Sequence, residues 1–157
     1  PEVEFSRTLP AQVARQNEDV LITYEVRNTG VIDITGLSIT DSAAEPVGAL
    51  DRLSPGGDVW KTVVTHSMTG DFASQPTLTY TAGGRMYSTT LDPAPVALAV
   101  TGLSAVLEVD RTHAAPGETV SLLCTITNTG NTDLSRVTVL VGEREPLYTA
   151  TNLRAGA

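Results

Sequence analysis

Residues 24–40 read YEVRNTGVIDITGLSIT. One hundred positions later, in the same register, residues 124–140 read CTITNTGNTDLSRVTVL. In the first phrase and its lead-in, Val20, Ile22, Tyr24 and Val26 fall on one face, and Thr23, Glu25 and Arg27 on the other. In the second, Val120, Leu122, Cys124 and Ile126 take the first face, and Ser121, Thr125 and Thr127 the other. A side-chain period of two is that of a strand with one face on a core and one in water. Each phrase then reaches Asn-Thr-Gly, at Asn28, Thr29 and Gly30 and again at Asn128, Thr129 and Gly130. Asn tolerates left-handed backbone and Gly adopts positive φ at little cost, so this triplet predicts a turn. A second strand follows, with Leu37 and Ile39 alternating in one phrase and Val137, Val139 and Val141 in the other. Asp33 and Asp133 stand at the same offset.

The likeness extends outward. "VEFSRT" from Val3 resembles "LEVDRT" from Leu107, with four residues' difference in the spacing that follows. "ALDRLSPGG" from Ala49 aligns with "TATNLRAGA" from Thr149. Beyond Gly57 the first copy continues through "DVWKTVVTH", "PTLTYTA", a Gly83-Gly84 turn into "RMYSTTL", a stretch broken by Pro93 and Pro95, and "VALAV". Thr101-Gly102 marks a boundary. About seven short strands in roughly a hundred residues predict a two-sheet, immunoglobulin-like sandwich. The expectation is therefore all-β: tandem immunoglobulin-like β-sandwiches, one over residues 1–101 and the N-terminal half of a second over residues 102–157. In that incomplete half, Val120, Leu122, Ile126, Val137 and Val139 have too little to pack against. Cys124, between Leu122 and Ile126, is expected to be buried, and so is Trp60 in the first sandwich.

Composition narrows the classes of function. Apolar residues make up 41% of the 157, enough for a packed core and too many for a disordered chain. The formal net charge is −8, and nine scattered arginines and one lysine are outnumbered by acids. Nucleic acid binding needs clustered cations to displace counterions from phosphates, so it is set aside together with anionic membrane surfaces. No apolar run is long enough to span a bilayer, so membrane insertion is not expected. Cys124 is the only cysteine, which excludes a disulfide within the chain. The sequence opens at Pro1 without a signal-peptide pattern and reads as a segment of a longer polypeptide.

The pattern Y-x-V-x-N-T-G, an apolar strand and a later L-x-P-G-G resembles the conserved-repeat immunoglobulin-like modules of prokaryotic surface proteins. These are related to bacterial cell-adhesion-type and enzyme-associated modules. Tyr24, Val26, Asn28, Thr29, Gly30, Leu53, Pro55 and Gly56 carry the match, and Ile126, Asn128, Thr129, Gly130, Leu153 and Gly156 carry it a second time. Cys124 departs from the tyrosine and Ala155 from the proline. The resemblance implies a bacterial extracellular or cell-surface location and a non-catalytic spacer or adhesion role. The other reading it allows is an accessory, carbohydrate-binding module of a secreted carbohydrate-active enzyme. Expected partners are neighbouring domains of the same longer chain, a protein or glycan ligand, and other copies through self-association of the incomplete module.

Candidate chemistry is sparse. His66 and His113 are the only histidines. A metal site needs converging ligands, and no H-x-H, HExxH or cysteine cluster occurs, so surface histidines and no cofactor are expected. No G-x-S-x-G elbow announces a hydrolase. Asp33 and Asp133 stand nearly alone where calcium wants six to eight oxygens, and bonding to nearby backbone N–H groups accounts for them. Lys61, beside Trp60, reads as a surface side chain rather than half of an isopeptide bond. Trp60, Tyr80 and Tyr87 are candidates for a sugar platform, with core packing the simpler reading for Trp60 and Tyr80. "GEREP" from Gly142 reads as a solvated charged turn.

Overall fold

A computed structural model describes residues 2–44, 46–140 and 147–157. The described residues are all-β and divide into two compact units, Pro1–Leu98 and Ala99–Ala157.

In the first unit the alternating phrase forms β3 (Asp19–Asn28), and its apolar face is closed to solvent at Val20, Ile22, Tyr24 and Val26. β3 is the middle strand of an antiparallel sheet. β1 (Val3–Thr8) lies on one edge, with Val3 opposite Asn28, and β6 (Asp58–Ser67) on the other, with Asn28 opposite Asp58. A second sheet runs β5-β4-β8-β9, formed by Gly48–Leu53, Ile34–Asp41, Pro76–Ala82 and Arg85–Thr90. Its inward residues Ile34, Leu37, Ile39, Leu53, Leu78, Tyr80 and Ala82 meet the β3 face in one hydrophobic core. Two sheets on one core make a sandwich. The Gly83-Gly84 turn joins β8 to β9 with φ of 56° and 76°, the doubly left-handed geometry of a two-residue hairpin. Short strands close the end of the sandwich: β2 (Val13–Ala14), β7 (Phe72–Ser74) and β10 (Ala94–Leu98), which pairs with both. Met68, Val20, Ala14 and Val96 form a smaller core there. β10 begins two residues before the Val96 start that the alternation predicts. Pro95 is accommodated because β10 pairs there only with the three-residue β7.

The second unit has two two-stranded sheets. β11 (Leu103–Val109) pairs with β12 (Leu122–Asn128), and β13 (Val137–Val139) with β14 (Tyr148–Ala150). Their registers match those of the first unit at a constant offset of one hundred. Val3 faces Asn28 as Leu103 faces Asn128, and Leu37 faces Leu50 as Val137 faces Ala150. Ile34 faces Leu53 as Leu134 faces Leu153. This corrects the alignment of "VEFSRT" with "LEVDRT". The partner of Tyr24 on β1 is Arg7, and the partner of Cys124 on β11 is Leu107, so Leu107 and not Arg111 stands where Arg7 does.

Cys124 is exposed, contrary to expectation. Its register is not slipped, since it lines the same groove as Ile126. It is exposed because the sheet face around it lacks cover: Leu107, Val109 and Leu122 are also half or more exposed. Trp60 is half-buried, with its indole lying across Gly48, where an added Cβ would come within 3.4 Å of Cζ2.

Candidate functional site

Each unit contains the Asn-Thr-Gly triplet as a clamp. Asn28 closes β3 with its side chain fully buried, and its Nδ2 donates to the carbonyls of Ile32 (2.9 Å) and Leu53 (3.0 Å). The Gly30 N–H donates back to Asn28 Oδ1 at 3.1 Å. Asn128 does the same with Thr132 (2.8 Å), Leu153 (2.9 Å) and Gly130 N–H (3.0 Å). The amide thus ties the end of one sheet to the strand that begins the other. The glycine has a different reason from the one predicted. Neither Gly30 nor Gly130 has positive φ. A Cβ at Gly130 would sit 2.3 Å from the Val100 carbonyl oxygen, and one at Gly30 would sit 3.1 Å from Glu2 N. Close passage of the incoming chain excludes a side chain at Gly130 and crowds one at Gly30. Thr29 N–H donates to the Glu2 carbonyl at 3.0 Å and Thr129 N–H to the Gly102 carbonyl at 3.1 Å, so the triplet also anchors that chain.

A second polar group lies inside the first unit. Asp41 ends β4 in the same inward register as Leu37 and Ile39 and is 1% exposed. Its Oδ2 accepts from the Tyr24 hydroxyl and the Ser74 hydroxyl, each at 2.5 Å. Its Oδ1 accepts from Gln75 N–H (2.9 Å) and Ala43 N–H (3.0 Å). Arg7, opposite Tyr24 on β1, donates to the Ser74 carbonyl at 2.5 Å and to the Asp92 carbonyl at 3.1 Å. Burial pushes the Asp41 carboxyl up, but the donated bonds outweigh it and hold the group below its ordinary range. Burial, with the bond to Asp41 and its charge, pushes the Tyr24 phenol up. The acid stays ionised and the phenol stays protonated, which fixes both as a pinned hydrogen-bond pair. With Tyr24, Asp41 and Ser74 all buried, the cluster joins β3, β4 and β7 across the sandwich.

The sequence reading did not single out Asp41, Ser74 or Arg7. One signal was available: in the alternation Leu37, Ile39, Asp41 an acid takes a core position. Tyr24 lies on the opposing core face, where a buried phenol needs an acceptor. At the matching positions of the second phrase, Arg7, Tyr24 and Asp41 become Leu107, Cys124 and Val141.

The remaining candidates are dispersed. His66 is half-buried, with Nδ1 3.2 Å from the Ala43 carbonyl and its ring 4.0 Å from that of Phe72, so it packs rather than standing free on the surface. His113 is exposed in the other unit. Among the described residues no group of three or more His, Cys, Asp or Glu converges. Asp133 accepts from Ala155 N–H at 2.9 Å, as expected, whereas Asp33 is in an ion pair with Arg52 at 2.5 Å. Lys61 pairs with Glu25 at 3.4 Å in solvent. Tyr80 is core and stacks on half-buried Tyr87 with ring centroids 5.4 Å apart, so these rings face each other. "GEREP" lies outside the described residues. Among those described, no helix is long and apolar enough to cross a membrane.

In the second unit the clamp sits beside an apolar groove of about 310 Å³, lined chiefly by Cys124, Ile126, Val137, Val139, Leu147 and Tyr148. No protein-family model matches the chain, and no curated protein matches it either.

Proposed function

We propose that this chain is a non-catalytic structural module of a bacterial extracellular or cell-surface protein. It would be built from immunoglobulin-like repeats and act as a spacer or as a scaffold for adhesion. One observation carries the reading: the same clamp and the same strand registers recur at a constant offset while the buried contents change. A framework kept apart from its contents suits a repeated unit whose task is to hold shape and join to its neighbours. The buried polar side chains support this, since Asn28, Asp41 and Ser74 direct their hydrogen bonds to the backbone and to each other. Its partners on this reading are the adjoining domains of one polypeptide.

A glycan array probed with the fluorescently labelled chain tests the reading. The expected result is no glycan retained above background at micromolar concentration. Specific retention that is lost on Trp60→Ala would replace the spacer with a carbohydrate-binding module.

A further inference from the structure

The sandwich of the first unit has four outer strand edges, and the sequence treats one of them differently. β1 and β6 bound one sheet, and β5 and β9 bound the other. Strand edges left in water are normally blunted by charge or proline, because their unpaired N–H and C=O groups invite another strand. β1 carries Glu4 and Arg7, β5 carries Asp51 and Arg52, and β6 carries Asp58 and Lys61. β9 reads Arg-Met-Tyr-Ser-Thr-Thr, and from Met86 to Thr90 it has neither charge nor proline. Along that stretch all residues but half-buried Tyr87 are exposed, Met86 by 80%.

The hairpin decides which groups this edge offers. Gly83 and Gly84 alone make the turn, so Ala82 and Arg85 close it as a pair that exchanges both backbone hydrogen bonds. Arg85, Tyr87 and Thr89 therefore direct N–H and C=O to β8, and Met86, Ser88 and Thr90 direct theirs away from it. Among the described residues β9 pairs with β8 alone. The sheet face beside the edge is uncharged as well: the rungs Thr40-Thr77-Thr90 and Ser38-Thr79-Ser88 carry only hydroxyls.

We propose that β9 is a self-association edge: two copies of this chain pair through it, antiparallel about a two-fold axis at Ser88, and join two four-stranded sheets into one. The occupant is a second copy because the edge is complementary to itself. With Ser88 opposite Ser88 of the second copy, Met86 lies opposite Thr90, so all three outward-directed residues of each copy bond in one register. On the other face Tyr87 meets Thr89, an aromatic and β-branched pair of the kind that stabilises sheets. Arg85, the one charge of the strand, comes level with Leu91 of the second copy and beside Asp92, which is opposite in sign. No like charges meet at this edge, in a chain whose net charge of −8 opposes contact between copies elsewhere. A ladder this short buries less than the roughly 1,200 Å² of a stable interface, so monomer and dimer exchange with concentration. The contact goes beyond the spacer reading and does not depend on it.

Sedimentation of the intact chain, from micromolar concentration up to about 1 mM, tests this over the range of a weak association. The expected result is a dimer that grows with concentration. Ser88→Lys and Ser88→Asp each set like charges opposite one another across the axis, and each should raise the half-dimer concentration about tenfold or more. Mixed in equal amounts, the two variants should associate at least as readily as the unaltered chain. Ser88 is exposed, so both variants should keep the urea transition reported by Trp60. The amides of Met86, Ser88 and Thr90 should exchange more slowly as concentration rises, while those of Tyr87 and Thr89 stay protected throughout. A chain still monomeric at about 1 mM refutes the proposal. So does a dimer indifferent to Ser88→Lys, which would put the contact elsewhere, or a pair of variants that fails to associate on mixing.

Discussion

The two units keep the same strand registers while carrying different side chains at matching positions. In the first, Tyr24, Asp41 and Ser74 form a buried polar group, which half-buried Arg7 joins through the Ser74 carbonyl. In the second, the matching positions are Leu107, Cys124 and Val141, all apolar. The replacements are concerted, and energetics explains why. An acid at position 41 without its donors would be an uncompensated buried charge, and a phenol at position 24 without its acceptor an unsatisfied hydroxyl. Intermediate combinations are costly, so the sites change together. The clamp asparagine does not vary because its partners are backbone carbonyls, which every sequence supplies. The second difference is closure: β3 and β4 are paired on both edges, and among the described residues β12 and β13 each pair with one strand.

The sharpest break in the comparison is Asp41→Ala. It leaves the Tyr24 and Ser74 hydroxyls and the Ala43 N–H without their acceptor, and the first unit should lose about 3–5 kcal/mol. Urea unfolding followed by Trp60, the only tryptophan, reads this unit alone. Importing the second unit's solution, with Arg7→Leu, Tyr24→Phe, Asp41→Val and Ser74→Ala together, should cost less than Asp41→Ala by itself. A fourfold variant less stable than the single one would show that the two interiors are not alternatives.

Next in size is the clamp. Asn28→Ala removes two donated bonds and one accepted bond from a buried site, for a loss of about 2–3 kcal/mol in the same assay. Asn128→Ala should leave the Trp60 transition where it was.

Acid gives a smaller, graded effect. The folded Asp41 carboxyl lies below its unfolded value, so its contribution is complete above the unfolded carboxylate range, near pH 4. It is lost as pH falls from there through the folded value. The first unit should therefore weaken below about pH 4, and the Asp41→Val fourfold variant should show a flatter dependence. Parallel pH curves for the two would remove Asp41 from the account.

Much of this was legible in the residues. The inward face of β3, the Gly83-Gly84 hairpin and the strands over 58–90 follow from period-two alternation and turn residues, which are local signals. What escaped was non-local. Asp41 meets Tyr24 and Ser74 through strands distant in sequence, and an acid on a core face reads as a strand end until its donors are in place. The reason for Gly30 and Gly130 escaped likewise, because it lies in the close passage of the preceding chain rather than in their own dihedrals. Cys124 was assigned to the correct face and the wrong environment. Alternation says which way a side chain points, but burial depends on whether another layer lies over it.

The central claim is that β3 is paired along both edges and that, among the described residues, β12 pairs with one strand. Amide hydrogen exchange in the native protein tests it directly, strand against strand. β3 should show protection at successive amides from Thr23 to Arg27, because β1 and β6 together engage both edges there. From Leu123 to Thr127 β12 should show alternation, with amides that point to β11 protected and those between them exchanging near the unprotected rate. Uniform protection along Leu122–Asn128, equal to that of β3, would mean that the edge of β12 is already occupied and would contradict the account.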